Sequence, residues 1–257
     1  MTRLPATALL PLALAAATVL LGACGDDSSI GAAETPTGGA ASVETSSEPI
    51  ELNQIPAGAA LRPATYAMPL IGPDGPLRAV VEVPEGYFSA GGWVIDDGHG
   101  TLVPDEFGNL AFWSAVGQVD PDPCHDGPLE RVGPGIRALA DALEAQRSRI
   151  TSSPQPVSLG GRDGLYVESR ARGGFDGCAG GEHHLFRVEP GSSLWLADDI
   201  PGTTDRLWIV SVNGRRVVAA VQTVRGKTAH PAELIGIARS VVFDLGSYWT
   251  QPFRPGP

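Results

Sequence analysis

The chain has 257 residues, a formal net charge of −11 and a hydrophobic share of 42%, enough for one sizeable core or two small ones. So acidic a protein lacks the basic stripe on which phosphate binding rests, which excludes nucleic acid, and anionic head groups repel it, so membrane attachment requires an anchor. Its 33 glycines and 23 prolines favour turns and short strands over long helices.

Met1-Thr2-Arg3 gives a positive start, and Ala6 to Leu21 is an apolar stretch rich in Leu and Ala. It is shorter than the roughly 20 residues a spanning helix needs and has the form of a signal-peptide core. The following Leu21-Gly22-Ala23-Cys24 closely resembles the bacterial lipobox. That resemblance implies cleavage after residue 23 and acylation of the Cys24 thiol, so the mature chain is expected at the cell membrane, lipid-anchored and facing the extracytoplasmic side. Two or more acyl chains hold stably where one does not. Residues 24–58 are expected as anchor and disordered tether. The run has no aromatic residue and little apolar periodicity, so it buries too little surface to offset chain entropy. A flexible segment of that length spans about 30–35 Å root-mean-square.

Residues 59–246 are expected as one globular domain, with 247–257 as a tail. Thr65–Ile71 and Leu77–Val83 flank the turn segment Gly72-Pro73-Asp74-Gly75-Pro76. Weaker strands are expected at Gly92–Ile95 and Leu110–Val116. In Pro134–Gln146, Ile136, Leu139, Ala140 and Leu143 recur at helical spacing, with Pro134 suited to a first turn. Strands resume at Gln155–Leu159, Gly164–Arg170, His184–Val188 and Ser193–Ala197. The strongest local signal is Asn213-Gly214 between Asp205–Val212 and Arg215–Val224, because a type I′ hairpin turn needs φ > 0 at both central residues. A last helix, Pro231–Val242, places Leu234, Ile237, Ala238 and Val241 on one face. Strands and helices do not strictly alternate, so the expected class is α+β: a mainly antiparallel sheet, two amphipathic helices packed on it, and a long C-terminal hairpin followed by a closing helix.

With Cys24 acylated, Cys124 and Cys178 remain as an even pair in an oxidising compartment, which predicts a disulfide. Both lie in Gly/Pro/Asp-rich segments, and closing so long a loop stabilises by about 4 kcal/mol in the chain-entropy treatment.

The stretch from Asp205 to Gly214, the helix ending Arg239-Ser240-Val241-Val242-Phe243, the opening Ala79-Val80-Val81-Glu82-Val83-Pro84-Glu85-Gly86-Tyr87 and Asp122-Pro123-Cys124 resemble a domain of uncharacterised actinobacterial lipoproteins over about residues 60–245. At fold level, a final hairpin packed by a closing helix is similar to the Mog1/PsbP-like architecture. Neither resemblance implies a catalytic residue.

Gly226-Lys227-Thr228 looks like the end of a phosphate-binding loop, but Val221 stands where that motif needs its first glycine, so no nucleotide is expected. Neither Ser89 nor Ser192 sits in a nucleophile elbow. His183 and His184 are adjacent, and on a strand they point to opposite faces and cannot easily share an ion. Asp120, Asp122 and Asp126 surround His125, yet Cys124 falls where a calcium loop wants Asp or Asn. No metal or cofactor is expected. Trp93, Phe112, Trp113, Trp195 and Trp208 fall on predicted strands. Of these, Trp93, Trp113 and Trp208 are the candidate ligand-facing aromatics, with core packing as the plainer role. These features point to a non-enzymatic surface-tethered module that binds an envelope protein, glycan or small ligand. A lipid or small-molecule carrier and an envelope hydrolase are the alternatives.

Overall fold

The computed structural model describes residues 48–72, 76–98, 107–125, 127–188 and 193–245. Cys24, its apolar leader and most of the expected tether lie outside these. The described elements are, in chain order, β1 (Ile50–Glu51), β2 (Ala64–Pro69), β3 (Arg78–Val83), β4 (Phe88–Ala90), β5 (Val94–Asp96), β6 (Gly108–Ser114), β7 (Val116–Val119), β8 (Glu130–Arg131), α1 (Ile136–Glu144), β9 (Arg149–Thr151), β10 (Gln155–Leu159), β11 (Arg162–Ala171), β12 (His183–Val188), β13 (Trp195–Asp198), β14 (Thr203–Val212), β15 (Arg215–Val224), α2 (Pro231–Arg239) and β16 (Val242–Asp244). They form three sheets, with the orders β1-β2-β3-β16, β10-β11-β14-β15-β6-β5-β4 (β9 also pairing with β11), and β13-β12-β7-β8. Every pairing is antiparallel except β1 with β2. The fold class is α+β.

The middle sheet is covered on both faces. Trp208, Phe112 and Ala219 face one core with Tyr66, Met68 and Val81 of the first sheet and Leu234 and Ile237 of α2. Trp113, Ile209 and Val218 face the other, with Leu185 and Phe186 of the third sheet and Leu139 and Leu143 of α1. A sheet buried on both sides reads as continuous apolar sequence rather than strict alternation, which is why β15 runs Val-Val-Ala-Ala-Val without a polar interruption. Volume is matched across the ladder: Ala219 lies between Trp208 and Phe112 on neighbouring strands. Small beside large fills the layer at native density.

Local signals explain the best-defined pieces. The β14–β15 hairpin closes at Asn213-Gly214, whose φ values of 52° and 77° are those a type I′ turn demands. α1 buries Leu139, Ala140 and Leu143, and α2 begins at Pro231 and buries Leu234, Ile237 and Ala238.

Three departures from sequence expectation have physical causes. The stretch Leu110–Val116 is not one strand. Ala115 takes φ 51° and turns the chain out of the middle sheet, so β6 ends at Ser114 and β7 begins the third sheet. The packed chain also starts before residue 59. Ile50 and Glu51 pair in parallel with Tyr66 and Ala67, Leu52 is fully buried, and Arg78 bonds both Glu51 and Asp244. Too short to signal a strand alone, Ile50–Glu51 is recruited by the open edge of β2. Beyond α2 the chain also returns as β16, pairing with β3.

Candidate functional site

The helix α2 presents Glu233, Gly236, Ile237 and Ser240 along one stripe, the i, i+3, i+4, i+7 spacing of a single helical face. Opposite this stripe lie Arg62–Thr65 at the start of β2 and Glu82–Pro84 at the end of β3, with Glu48 and Ile50 beside them. Together they enclose an open groove of about 850 Å³. That volume is in the range of small-molecule sites.

Hydrogen bonds fix the rim. Tyr87, wholly buried, donates its hydroxyl to Glu233 at 3.1 Å, and Ser240 accepts the backbone N–H of Glu82 at 3.3 Å while donating to the Ile237 carbonyl at 2.8 Å. Tyr66 donates to the Arg62 carbonyl at 2.9 Å. Burial, then the Glu233 carboxylate, pushes the Tyr87 phenol far up, so it stays a donor across the physiological range. The groove combines an apolar floor of Ile50, Val83 and Ile237 with the carboxylates of Glu48, Glu82 and Glu233, against Arg62 as the cation among its lining residues. At Gly236 a Cβ would meet nothing within 4 Å, so the missing side chain adds open space in the middle of the helical wall.

The polar chemistry on the other side of the molecule is of a different kind. Arg149, with no exposed surface, donates from Nε to Ser169 at 2.8 Å, from Nη1 to Asp198 at 2.6 Å and from Nη2 to Asp205. Gln222 donates to the second oxygens of both carboxylates, at 2.8 and 2.9 Å, and accepts from Asn109 at 3.0 Å. Burial raises the Asp198 carboxyl well above the usual carboxylate range, and the neighbouring Asp205 adds to it. Desolvation opposes the charge on Arg149, but the two aspartates outweigh it and its pKa rises. Asp198 belongs to the third sheet and the others to the middle sheet, so the network clasps the two together. With Arg149, Ser169 and Asp205 fully buried and Asp198 1% exposed, it is structural rather than a place where substrate lands.

Cys124 and Cys178 are bonded, with Cα atoms 4.4 Å apart. The pair staples the segment after β7 to the segment before β12. His183 lies beside it, 2% exposed, with Nε2 3.1 Å from the Cys178 sulfur and the Phe175 ring 4.7 Å away. Burial, then the Arg149 charge, lowers the His183 pKa to about 4, so its imidazole is neutral at physiological pH. His184 points the other way, bonding Glu182 at 2.9 Å and stacking on Trp195 with centroids 4.0 Å apart. The two adjacent histidines therefore share no site, as alternation along a strand requires.

The candidate tryptophans do not converge. Trp93 is 44% exposed in the turn before β5, not on a strand. Trp113 and Trp208 are buried on opposite faces of the middle sheet, in separate cores. Neither buried indole N–H has a hydrogen-bond partner among the described residues. Thr228 of the Gly-Lys-Thr run accepts the Val224 N–H at 2.8 Å and donates to the Phe107 carbonyl, a strand-end cap. Ser89 is buried and bonded to Gly92 and Ile55. Ser192, His99 and Asp126 lie outside the described residues. Sequence reasoning missed the groove because its walls come from separate parts of the chain: residues 48–50, 62–65 and 82–84 and the helix α2.

No protein-family model, curated protein or solved structure matches this chain.

Proposed function

We propose that this chain is a lipid-tethered, non-enzymatic binding module on the outer side of the cytoplasmic membrane, and that it holds an amphiphilic ligand with a cationic group in the groove between α2 and the first sheet. The carrying observation is the lining of that groove: an apolar floor ringed by Glu48, Glu82 and Glu233 against Arg62. An apolar floor favours burial of carbon surface, and an excess of carboxylates favours a positive group over an anion. A basic peptide segment or a cationic amphiphile of the envelope has that chemistry. The groove's open form supports a module that engages part of a larger partner over a carrier that encloses its cargo. The sequence Leu21-Gly22-Ala23-Cys24 supports the address and the anchor.

The test is photo-cross-linking in intact cells from a reactive side chain at Thr65, with and without Gly236→Trp, which fills the groove. A captured envelope component that vanishes with Gly236→Trp, and weakens with Glu48→Lys plus Glu82→Lys, is the expected result. Capture unchanged by a filled groove overturns the proposed site. Separately, the mature chain should incorporate a labelled fatty acid and Cys24→Ser should not; equal labelling of both would remove the anchor.

A further inference from the structure

The geometry points to a second state of the Cys124–Cys178 staple: once the disulfide is reduced, Cys124, Cys178 and His183 form a binding site for a thiophilic divalent cation of the zinc class. The ligand atoms are already assembled, with the two sulfurs and an imidazole nitrogen all within 4.8 Å of one another. Two thiolates and one imidazole are the donors such an ion prefers, at about 2.3 Å for sulfur and 2.0–2.1 Å for nitrogen.

The S–S bond is not the sole link at this place in the fold. The N–H of Ala179 donates to the Cys124 carbonyl at 2.9 Å, the N–H of His184 to the Pro123 carbonyl at 3.3 Å, and the N–H of Cys124 to Ser148 at 3.2 Å. The first two bonds join the two cysteine segments independently of the sulfurs, and the third ties Cys124 to the turn between α1 and β9. Room to adjust is local to Cys178: Gly177, Gly180 and Gly181 all have positive φ, and a Cβ at any of them would meet nothing within 4 Å. The backbone on either side of Cys178 is therefore not packed against the core at these glycines. His183 supplies the second observation. It is 98% buried, its Nε2 is aimed at the Cys178 sulfur, and its Nδ1 is buried without a hydrogen-bond partner among the described residues. The nitrogen that faces the sulfurs is Nε2, so that is the ligand atom of the proposed site. Three protein ligands leave a fourth position for water.

The chemistry balances with a dithiol as reductant. The S–S bond breaks, two S–H bonds form, and the dithiol gives up two electrons and two protons as it closes to its own disulfide. Metal binding then releases the two thiol protons to solvent. Reduction thus exchanges a covalent staple for a coordinate one at the same place in the fold.

The experiment uses the full chain in detergent with Cys24→Ser, so that no third thiol competes, reduced by dithiothreitol that is then removed without air. Cobalt(II) is the probe. One equivalent should give sulfur-to-cobalt charge transfer and the intense visible bands of tetrahedral cobalt, displaced by zinc(II). The oxidised chain should give neither. His184→Ala, on the opposite face, should leave the spectrum unchanged. His183→Asn should weaken binding by at least the roughly 10–100-fold that loss of a supporting group costs at such sites. His183→Cys should restore tetrahedral binding with stronger charge transfer, which guards against mistaking misfolding for a lost ligand. Absence of tetrahedral cobalt in the reduced chain, equal binding by the oxidised chain, or a spectrum indifferent to both His183 variants overturns the assignment.

Discussion

The two faces of the middle sheet solve the same packing problem with different means. On the α2 face, the first sheet and helix are held by apolar contacts around Trp208, Met68 and Leu234, and a groove opens between α2 and the first sheet. On the α1 face, the third sheet is held by an apolar core and, in addition, by the buried Arg149 clasp and the disulfide. A hydrophobic interface tolerates a gap at its edge because dispersion and burial are summed over many weak contacts. A buried ion cannot tolerate one lost partner, because each charge is stable only while the others are present. The α1 face should therefore be the brittle side of the molecule and the α2 face the forgiving one.

The largest expected effect breaks the clasp. Arg149→Met leaves Asp198 and Asp205 facing each other without a cation, and urea denaturation should show a loss of about 3–5 kcal/mol. Adding Asp198→Asn and Asp205→Asn should recover a good part of it. A loss under about 1 kcal/mol from the single change would make the two faces equivalent. Replacing the disulfide with Cys124→Ala plus Cys178→Ala should cost about 2–5 kcal/mol, read as a lower thermal midpoint in metal-free buffer.

Acid should weaken the same face. The folded-state pKa of His183, about 4, lies below its unfolded value of 6.5. The unfolded chain therefore takes up a proton that the folded chain refuses. Stability from this group is full above pH 6.5, falls as pH drops, and is gone below about pH 4, a loss of roughly 3 kcal/mol at about 1.4 kcal/mol per unit. Asp198, whose carboxyl is raised, acts in the opposite sense and is stabilised by acid relative to neutral pH. The diagnostic quantity is thus the difference in pH slope between the wild type and His183→Asn in the oxidised chain. Equal slopes would place the acid sensitivity elsewhere.

The smallest effect belongs to the forgiving face. Gly236→Ala puts a methyl group into open space on a helix whose backbone there is ordinary, and should stabilise by about 0.5–1 kcal/mol through helix propensity alone. Destabilisation would mean that the groove wall is tightly packed after all.

Legibility followed the range of the interaction. Asn213-Gly214 announced its hairpin because turn geometry depends on the two residues themselves. α1 and α2 were visible because helical spacing shows within nine to twelve residues. Arg149 was not visible. In Arg147-Ser148-Arg149 it looks like any solvated arginine, and only Asp198, Asp205 and Ser169, brought in from distant strands, make it a buried one. Ile50 and Leu52 read as tether because two apolar residues in a polar run signal nothing until β2 offers an edge and the core a socket. The tryptophans misled for a related reason. Their strands were read in the sequence for Trp113 and Trp208, but the face each indole took depended on a sheet covered on both sides.

By itself, then, the amino-acid sequence determined the α+β class, the two helices, the long hairpin and the pairing logic of two cysteines, because each rests on local stereochemistry or simple counting. Tertiary structure alone decided that the described strands form three sheets rather than one, which tryptophan faces which core, where a charged side chain can be buried, and where the groove opens. Those outcomes depend on residues far apart in the chain meeting at a few ångströms, where burial, charge and shape act between elements and leave no local pattern to read.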